Sequence, residues 1–298
     1  MYIIILIVLI FVTDANSDIR SEIFKNINAE KTSNSEKVVS SNKNVPKVDS
    51  KVDVANTNNV NLANKVSTDK DKTVELDKTA EVKKVTDTNV EQCISVENAY
   101  ISDGKKVAFL TFDDGPSSEN TIKILDILKS NNIKATFFIV GSAAEKNPAI
   151  LKRVVNDGHA IANHTYSHDY NIVYSSVDVF MGEIKKTEDI MKKILGNTFF
   201  TRIVRFPGGS FEASKAPFRQ ELVKQGYIYV DWNAITGDGE GTNIAPTVLV
   251  SRLVSTAGNQ NHIVALMHDS PSKQTSVDAL PGVIESLKSR GYEFATLK

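Results

Sequence analysis

From residue 106 onward the chain alternates between two hydrophobic periods, and that alternation limits its fold more than any other feature. "KVAFLTF" (106–112) is a short continuous apolar run bounded by polar residues, the mark of a buried strand. "SSENTIKILDILKSNN" (117–132) follows with a helical stripe at Ile122, Leu125 and Leu128, opened by Ser/Glu capping chemistry. The same exchange continues through "KATFFIVG" (strand), "NPAILKRVVNDG" (helix) and "HAIANH" (strand), then a long helix over 175–196 and the strand "RIVRF". It ends with the helix 214–226, the strand 227–233, the helix 245–258, the strand 262–268, the helix 276–291 and the strand 292–297. About seven strand–helix units in this order require a parallel sheet, because each crossover helix must bury its apolar face on the sheet. An open doubly wound sheet and a closed barrel both satisfy the pattern. The reactive residues favour the barrel. Asp113, Asp114, His164, His168, Arg205, Asp238 and His268 all stand just after strands, and only a barrel gathers many strand ends at one rim. The expected class is therefore α/β, a distorted (β/α) barrel of about seven units.

The N-terminal third has a different texture. The 298-residue chain carries a formal net charge of −1, and residues 18–92 are dominated by Lys, Asp, Glu, Asn, Ser, Thr and Val, with hardly an aromatic and no clear apolar period. Such a composition cannot offset the entropy of ordering, and a disordered low-complexity tether is expected over 18–92. Residues 1–17 hold the apolar run "MYIIILIVLIFV" followed by "TDANS". The run suits a secretory signal with small residues at Ala15 and Ser17, or an uncleaved membrane anchor; either predicts a secreted or cell-surface protein. The folded domain is expected over 93–298. The single cysteine, Cys93, cannot form an intrachain disulfide and is read as inert. Nearly balanced charge, with no basic helix, argues against a nucleic-acid partner. Membrane contact is expected only through the N-terminal segment, and a monomer is expected.

Taken singly, the polar features have bland readings: Asp-Asp-Gly as a turn, His-x-x-x-His as a surface pair, Arg-x-Pro as a loop. In combination they are far more specific. "TFDDG" (111–115), "HTYSH" (164–168), "RFPGG" (205–209) and "LMH" (266–268) occur in order at the ends of successive strands. This set resembles the polysaccharide deacetylase family, the NodB homology domain of carbohydrate esterase family 4, and the resemblance covers about residues 105–298. It departs from the family at "DWNAITGDGEG" (231–241), where Asp231–Trp232 match the motif by letter but spacing from the strand favours Asp238 as its carboxylate. Gly239 stands where a groove-lining Trp is common.

The resemblance implies a hydrolase that removes acetyl groups from a polysaccharide, and the chemistry of amide hydrolysis assigns roles. Two imidazoles and a carboxylate, His164, His168 and Asp114, suit an open site for one divalent metal, zinc first, with cobalt, nickel or manganese as alternatives. Asp113 would be the general base, held ionised by Arg205, and the Gly208 N–H would meet the oxyanion. His268 would be the general acid, with Asp238 favouring its imidazolium form. Leu266 would line the acetyl pocket. His159 and His262 read as structural. Trp232, Tyr166 and Phe206 could stack on sugar faces, and for Phe206 and Trp232 core packing is an equal reading. Cell-wall peptidoglycan is the leading substrate. Chitin oligomers, acetylated xylan and a catalytically silent wall-binding module are the rivals.

Overall fold

The computed structural model describes residues 93–94 and 99–298; the signal and tether expectations for residues 1–92 lie outside it. The central sheet begins with β2 (Val107–Asp113), β3 (Thr136–Ile139) and β4 (Ala160–Asn163), after a short β1 (Cys93–Ile94). β5 (Ile203–Val204), β6 (Ile228–Tyr229), β7 (Ala234–Ile235) and β8 (His262–His268) complete a seven-strand path, β6-β5-β4-β3-β2-β8-β7, in which every pairing is parallel. β9 (Glu293–Phe294) pairs with the first two residues of β2, and β3 pairs with its last three. The two therefore share one edge of that strand. β10 (Thr296–Leu297) pairs with β1. The sheet curls into a distorted barrel.

Residues 227–233, read from the sequence as one strand, split instead. Val230 donates its N–H to Val204, but the Val230 and Asp231 carbonyls are taken by the Arg205 guanidinium. Asn233 then exchanges partners to β8, donating to the Val264 carbonyl and accepting the Val264 N–H on its side chain. Over 230–233 the chain thus passes from the edge of β5 to the edge of β8 without a helix, and no β6–β7 ladder is present among the described residues. The terminal segment 292–297 likewise divides into β9 and β10.

Alternation along each strand builds two apolar layers. Ala108, Leu110 and Phe112 of β2 and Ile263, Ala265 and Met267 of β8 pack outward beneath helices. Phe109, Phe138, Ala162, Ile203 and Val264 fill the barrel interior. The covering helices are α1 (Asn120–Ser130), α2 (Gly141–Lys146), α3 (Pro148–Asn156), α4 (Tyr170–Val173), α5 (Val177–Leu195), α6 (Ala216–Lys224), α7 (Pro246–Ala257) and α8 (Gln274–Ser289). In α1 the buried stripe is Ile124, Leu125 and Leu128, so Ile124 replaces the expected Ile122. Its start is capped by Ser117, whose hydroxyl accepts the Asn120 and Thr121 N–H groups; Glu119 makes no cap. No described helix is long and apolar enough to cross a membrane.

Candidate metal centre and active site

The rim at the strand C-termini is ordered by register. Asp113, last residue of β2, lies opposite His268 on β8 and Phe138 on β3. His164 follows β4 directly, with its N–H on the Ile139 carbonyl, and Arg205 follows β5, with its N–H on the Asn163 carbonyl. Thr111, Asp113, Leu266 and His268 share the strand parity of Phe109 and Val264, which places them on the inner face.

Asp114, His164 and His168 form a cluster whose candidate ligand atoms all lie within 4.8 Å of one another. The His168 Nε2 is 3.2 Å from Asp114 Oδ1, and His164 Nε2 is 3.6 Å from the same oxygen. His164 Nδ1 meets the Arg205 carbonyl at 2.8 Å, which fixes the ring and leaves Nε2 facing the cluster. Burial, with His168 adding to it, pushes the His164 imidazole down to about 3, so it is neutral and fit to be a ligand. Asp114 Oδ1 is buried without a hydrogen-bond partner. An orphaned carboxylate oxygen between two imidazoles is costly unless a cation meets it, so the three side chains fit a divalent metal. Backbone strain marks the same place. Asp114, Thr165 and His168 are three of the four non-glycine residues at positive φ among those described, with φ of 77°, 66° and 56°. For the β-branched Thr165 such a backbone is costly, on the order of 1–3 kcal/mol.

Asp113 stands beside the cluster and is held from the other side. Arg205 Nη1 donates to its Oδ1 at 2.8 Å and to Thr111 Oγ1 at 2.7 Å. The guanidinium is fully buried, lies 3.8 Å from the Phe138 ring centroid, and gives its remaining hydrogen bonds to the Val230 and Asp231 carbonyls. These partners satisfy a charge that would otherwise be prohibitive in the barrel interior. Burial pushes the Asp113 carboxyl up, against the opposing pull of Arg205.

Across the rim, His268 Nδ1 is 2.8 Å from Asp238 Oδ1. Asp238 Oδ2 accepts the His268 N–H and the Ser276 hydroxyl. Burial opposes the charge on both partners. The hydrogen bond and attraction between them win, raising His268 to about 9 and keeping Asp238 below the ordinary carboxylate range. The carboxylate beside His268 is thus Asp238. Asp231 is engaged elsewhere, accepting the Ser210 N–H and hydroxyl. A Cβ on Gly239 would lie 3.2 Å from His268 Cε1, so this glycine leaves one side of the imidazole uncovered.

Gly208 adopts φ 71°, and a Cβ there would lie 2.8 Å from the Tyr170 hydroxyl. Tyr170 meets the His168 ring edge-on at 5.7 Å, which places Gly208 near the imidazole pair. Leu266 lies on the inner face of β8 and is nearly covered. Phe206 belongs to the core, stacked on Phe180. Tyr166 packs against the core and gives its hydroxyl to Glu145. His159 is buried and accepts the Ala135 N–H.

Three functional neighbours escaped the sequence reading. Glu183 of α5 accepts the Tyr166 N–H, the Ser167 N–H and the Ser167 hydroxyl, pinning the loop that carries both histidines. Its only signal was an acid inside the helix's apolar stripe. Tyr170 had none beyond standing two residues after His168. Asp269 donates its N–H to the Asp113 carbonyl, and its carboxyl presses on Gly115, where a Cβ would come within 2.2 Å. Burial pushes that carboxyl up to about 7, against the hydrogen bond from Thr121.

A family model described as "Polysaccharide deacetylase" matches residues 101–230. A peptidoglycan-N-acetylglucosamine deacetylase of Bacillus cereus is 40% identical over 190 residues, covering 63% of this chain. The chain spans 66% of that protein's length. A second protein of that name from Bacillus cereus is 31% identical over 193 residues, 64% of this chain and 68% of its own length. This chain belongs to the polysaccharide deacetylase family. The structure of a Streptococcus mutans CE4 esterase superposes with a TM-score of 0.65 at 34% identity, covering 70% of this chain and 92% of that one. The family model stops before Asp238 and His268, so their pairing rests on the geometry alone.

Proposed function

We propose that this protein is a metal-dependent deacetylase that removes N-acetyl groups from amino sugars of a cell-wall glycan, peptidoglycan first, and releases acetate. The observation that carries the reading is a buried carboxylate and an imidazolium on adjacent strand ends, flanking a cluster fit for a metal. A wall-binding module needs neither a base nor an acid, so their presence favours turnover. The substrate follows from the Bacillus cereus relatives, whose names specify peptidoglycan N-acetylglucosamine.

Asp114, His164 and His168 would hold one divalent ion, zinc by its preference for imidazole and carboxylate in an open site. Bound there, it supplies Lewis acidity, which acidifies water and polarises an amide carbonyl. Asp113 takes a proton from the attacking water; its upward-shifted carboxyl makes it the stronger base, and Arg205 fixes its direction. The Gly208 N–H meets the negative charge that develops on the carbonyl oxygen. His268, an imidazolium at neutral pH, gives its proton to the departing nitrogen as the C–N bond breaks. Acetate and a free amine result, and Leu266 borders the space for the acetyl methyl. The test is acetate release from peptidoglycan by enzyme stripped with a chelator and then reloaded. Activity lost on stripping and regained with zinc supports the reading; activity undiminished in verified metal-free protein rejects it.

A further inference from the structure

A groove of about 350 Å³ runs from Asp114 and His168 along one face of α2. Ser142 and Lys146 lie one turn apart on that helix, beside Ala143 and Asn147, and together they form one wall. The helix start is tied to the metal-cluster loop, because the Ser142 N–H donates to the Tyr166 carbonyl. Lys146 therefore stands about 6 Å further out along the axis. Asn147 is fixed by side-chain hydrogen bonds to the Pro116 and Ala143 carbonyls, which makes the wall rigid. The neighbouring acid, Glu145, is turned to the Tyr166 hydroxyl at 2.7 Å and does not line the groove. Lys146 is exposed and makes no ion pair or hydrogen bond among the described residues. Beyond the two cluster residues, it is the one charged side chain lining this space.

We infer that this groove holds the sugar adjoining the one that loses its acetyl group, and that Lys146 recognises a carboxylate carried on that sugar. The inference rests on the deacetylase reading and deepens it. Small apolar side chains such as Val140 and Ala143, with the Ser118 and Ser142 hydroxyls beside them, suit a pyranose ring, and a lone ammonium one turn beyond Ser142 suits an anionic substituent. Glycan strands free of stem peptide offer one on every second sugar, the lactyl carboxylate of N-acetylmuramic acid. Chitin offers none. Lys146 is thus a specificity residue that ranks an acidic glycan above a neutral one.

The test compares two substrates with metal-loaded enzyme: a tetrasaccharide of alternating N-acetylglucosamine and N-acetylmuramic acid, and chitotetraose. The ratio of kcat/KM for the acidic over the neutral sugar should fall about 3- to 10-fold in Lys146→Gln, the range for a charged pair at a partly open site. Lys146→Arg should retain most of the preference, and the difference should shrink at high salt. A ratio equal to the parent's in Lys146→Gln overturns the inference, since a merely structural role moves both substrates together. Direct binding of the acidic tetrasaccharide at low salt is measured on the same proteins. Weaker binding by Lys146→Gln supports the inference and equal binding rejects it. Absence of turnover in the parent would instead reject the deacetylase reading and leave the binding comparison to decide on Lys146.

Discussion

Two pairs of residues divide the chemistry, and each pair has its own signature in solution. His268 is raised to about 9 by Asp238, so the proton donor is present through neutral pH and is lost above its pKa. Asp238→Asn removes the attraction that raises it. The alkaline limb of the kcat/KM profile should then move to lower pH, and an unmoved limb would contradict the pairing. The imidazoles around Asp114 are tested separately. His164→Ala combined with His168→Ala removes two of three candidate ligands and should abolish stoichiometric metal binding, read by elemental analysis. Full metal content in that double variant would place the ion elsewhere. At this scale the sequence was most informative where chemistry demands a residue type, as with the two histidines and the paired aspartates. Between Asp231 and Asp238 it offers only a spacing that favours Asp238. Both are buried acids after a strand, and only the fold shows that Ser210 occupies one and His268 the other.

Elements hold these residues through contacts that no motif spells out. The loop between β4 and α4 carries both histidines with strained backbone at Thr165 and His168, and it persists because α5 lends it Glu183. Glu183→Ala would strand two N–H groups and a hydroxyl in a partly buried place. It should cost about 1–3 kcal/mol in denaturant unfolding and weaken metal affinity with it. A variant with parental stability and parental metal affinity would show that the strained loop holds itself. The alternation of strand and helix was readable because each apolar run has the length and period of its element. The break at 230–233 was not, since "YIYVDWN" is a sound strand by propensity and is interrupted where Arg205 claims two of its carbonyls and Asn233 turns to β8. Likewise Ile124 displaces Ile122 because Thr121, Ile124, Leu125 and Leu128 fall on one helix face at spacings of three, four and seven, and Ile122 lies beside it.

The whole molecule gathers at one rim groups that are more than 150 positions apart in the chain. Asp113 and His268 are neighbours because β2 and β8 pair in register along their full length, and Arg205 reaches both Asp113 and the barrel wall from the far side of the path. That convergence is what the barrel expectation amounted to, and the same curled sheet lets an inner face of Phe109, Phe138 and Val264 exclude water beneath the site. Hydrolysis at this rim requires Asp113 to act as the base. The most direct measurement is acetate release, matched against free amine formed, by the parent and by Asp113→Asn at equal metal content. The substitution keeps the side chain's shape and removes its basicity, so kcat should fall about 10²- to 10⁴-fold while metal and glycan still bind. Near-parental deacetylation by metal-loaded Asp113→Asn would contradict the account.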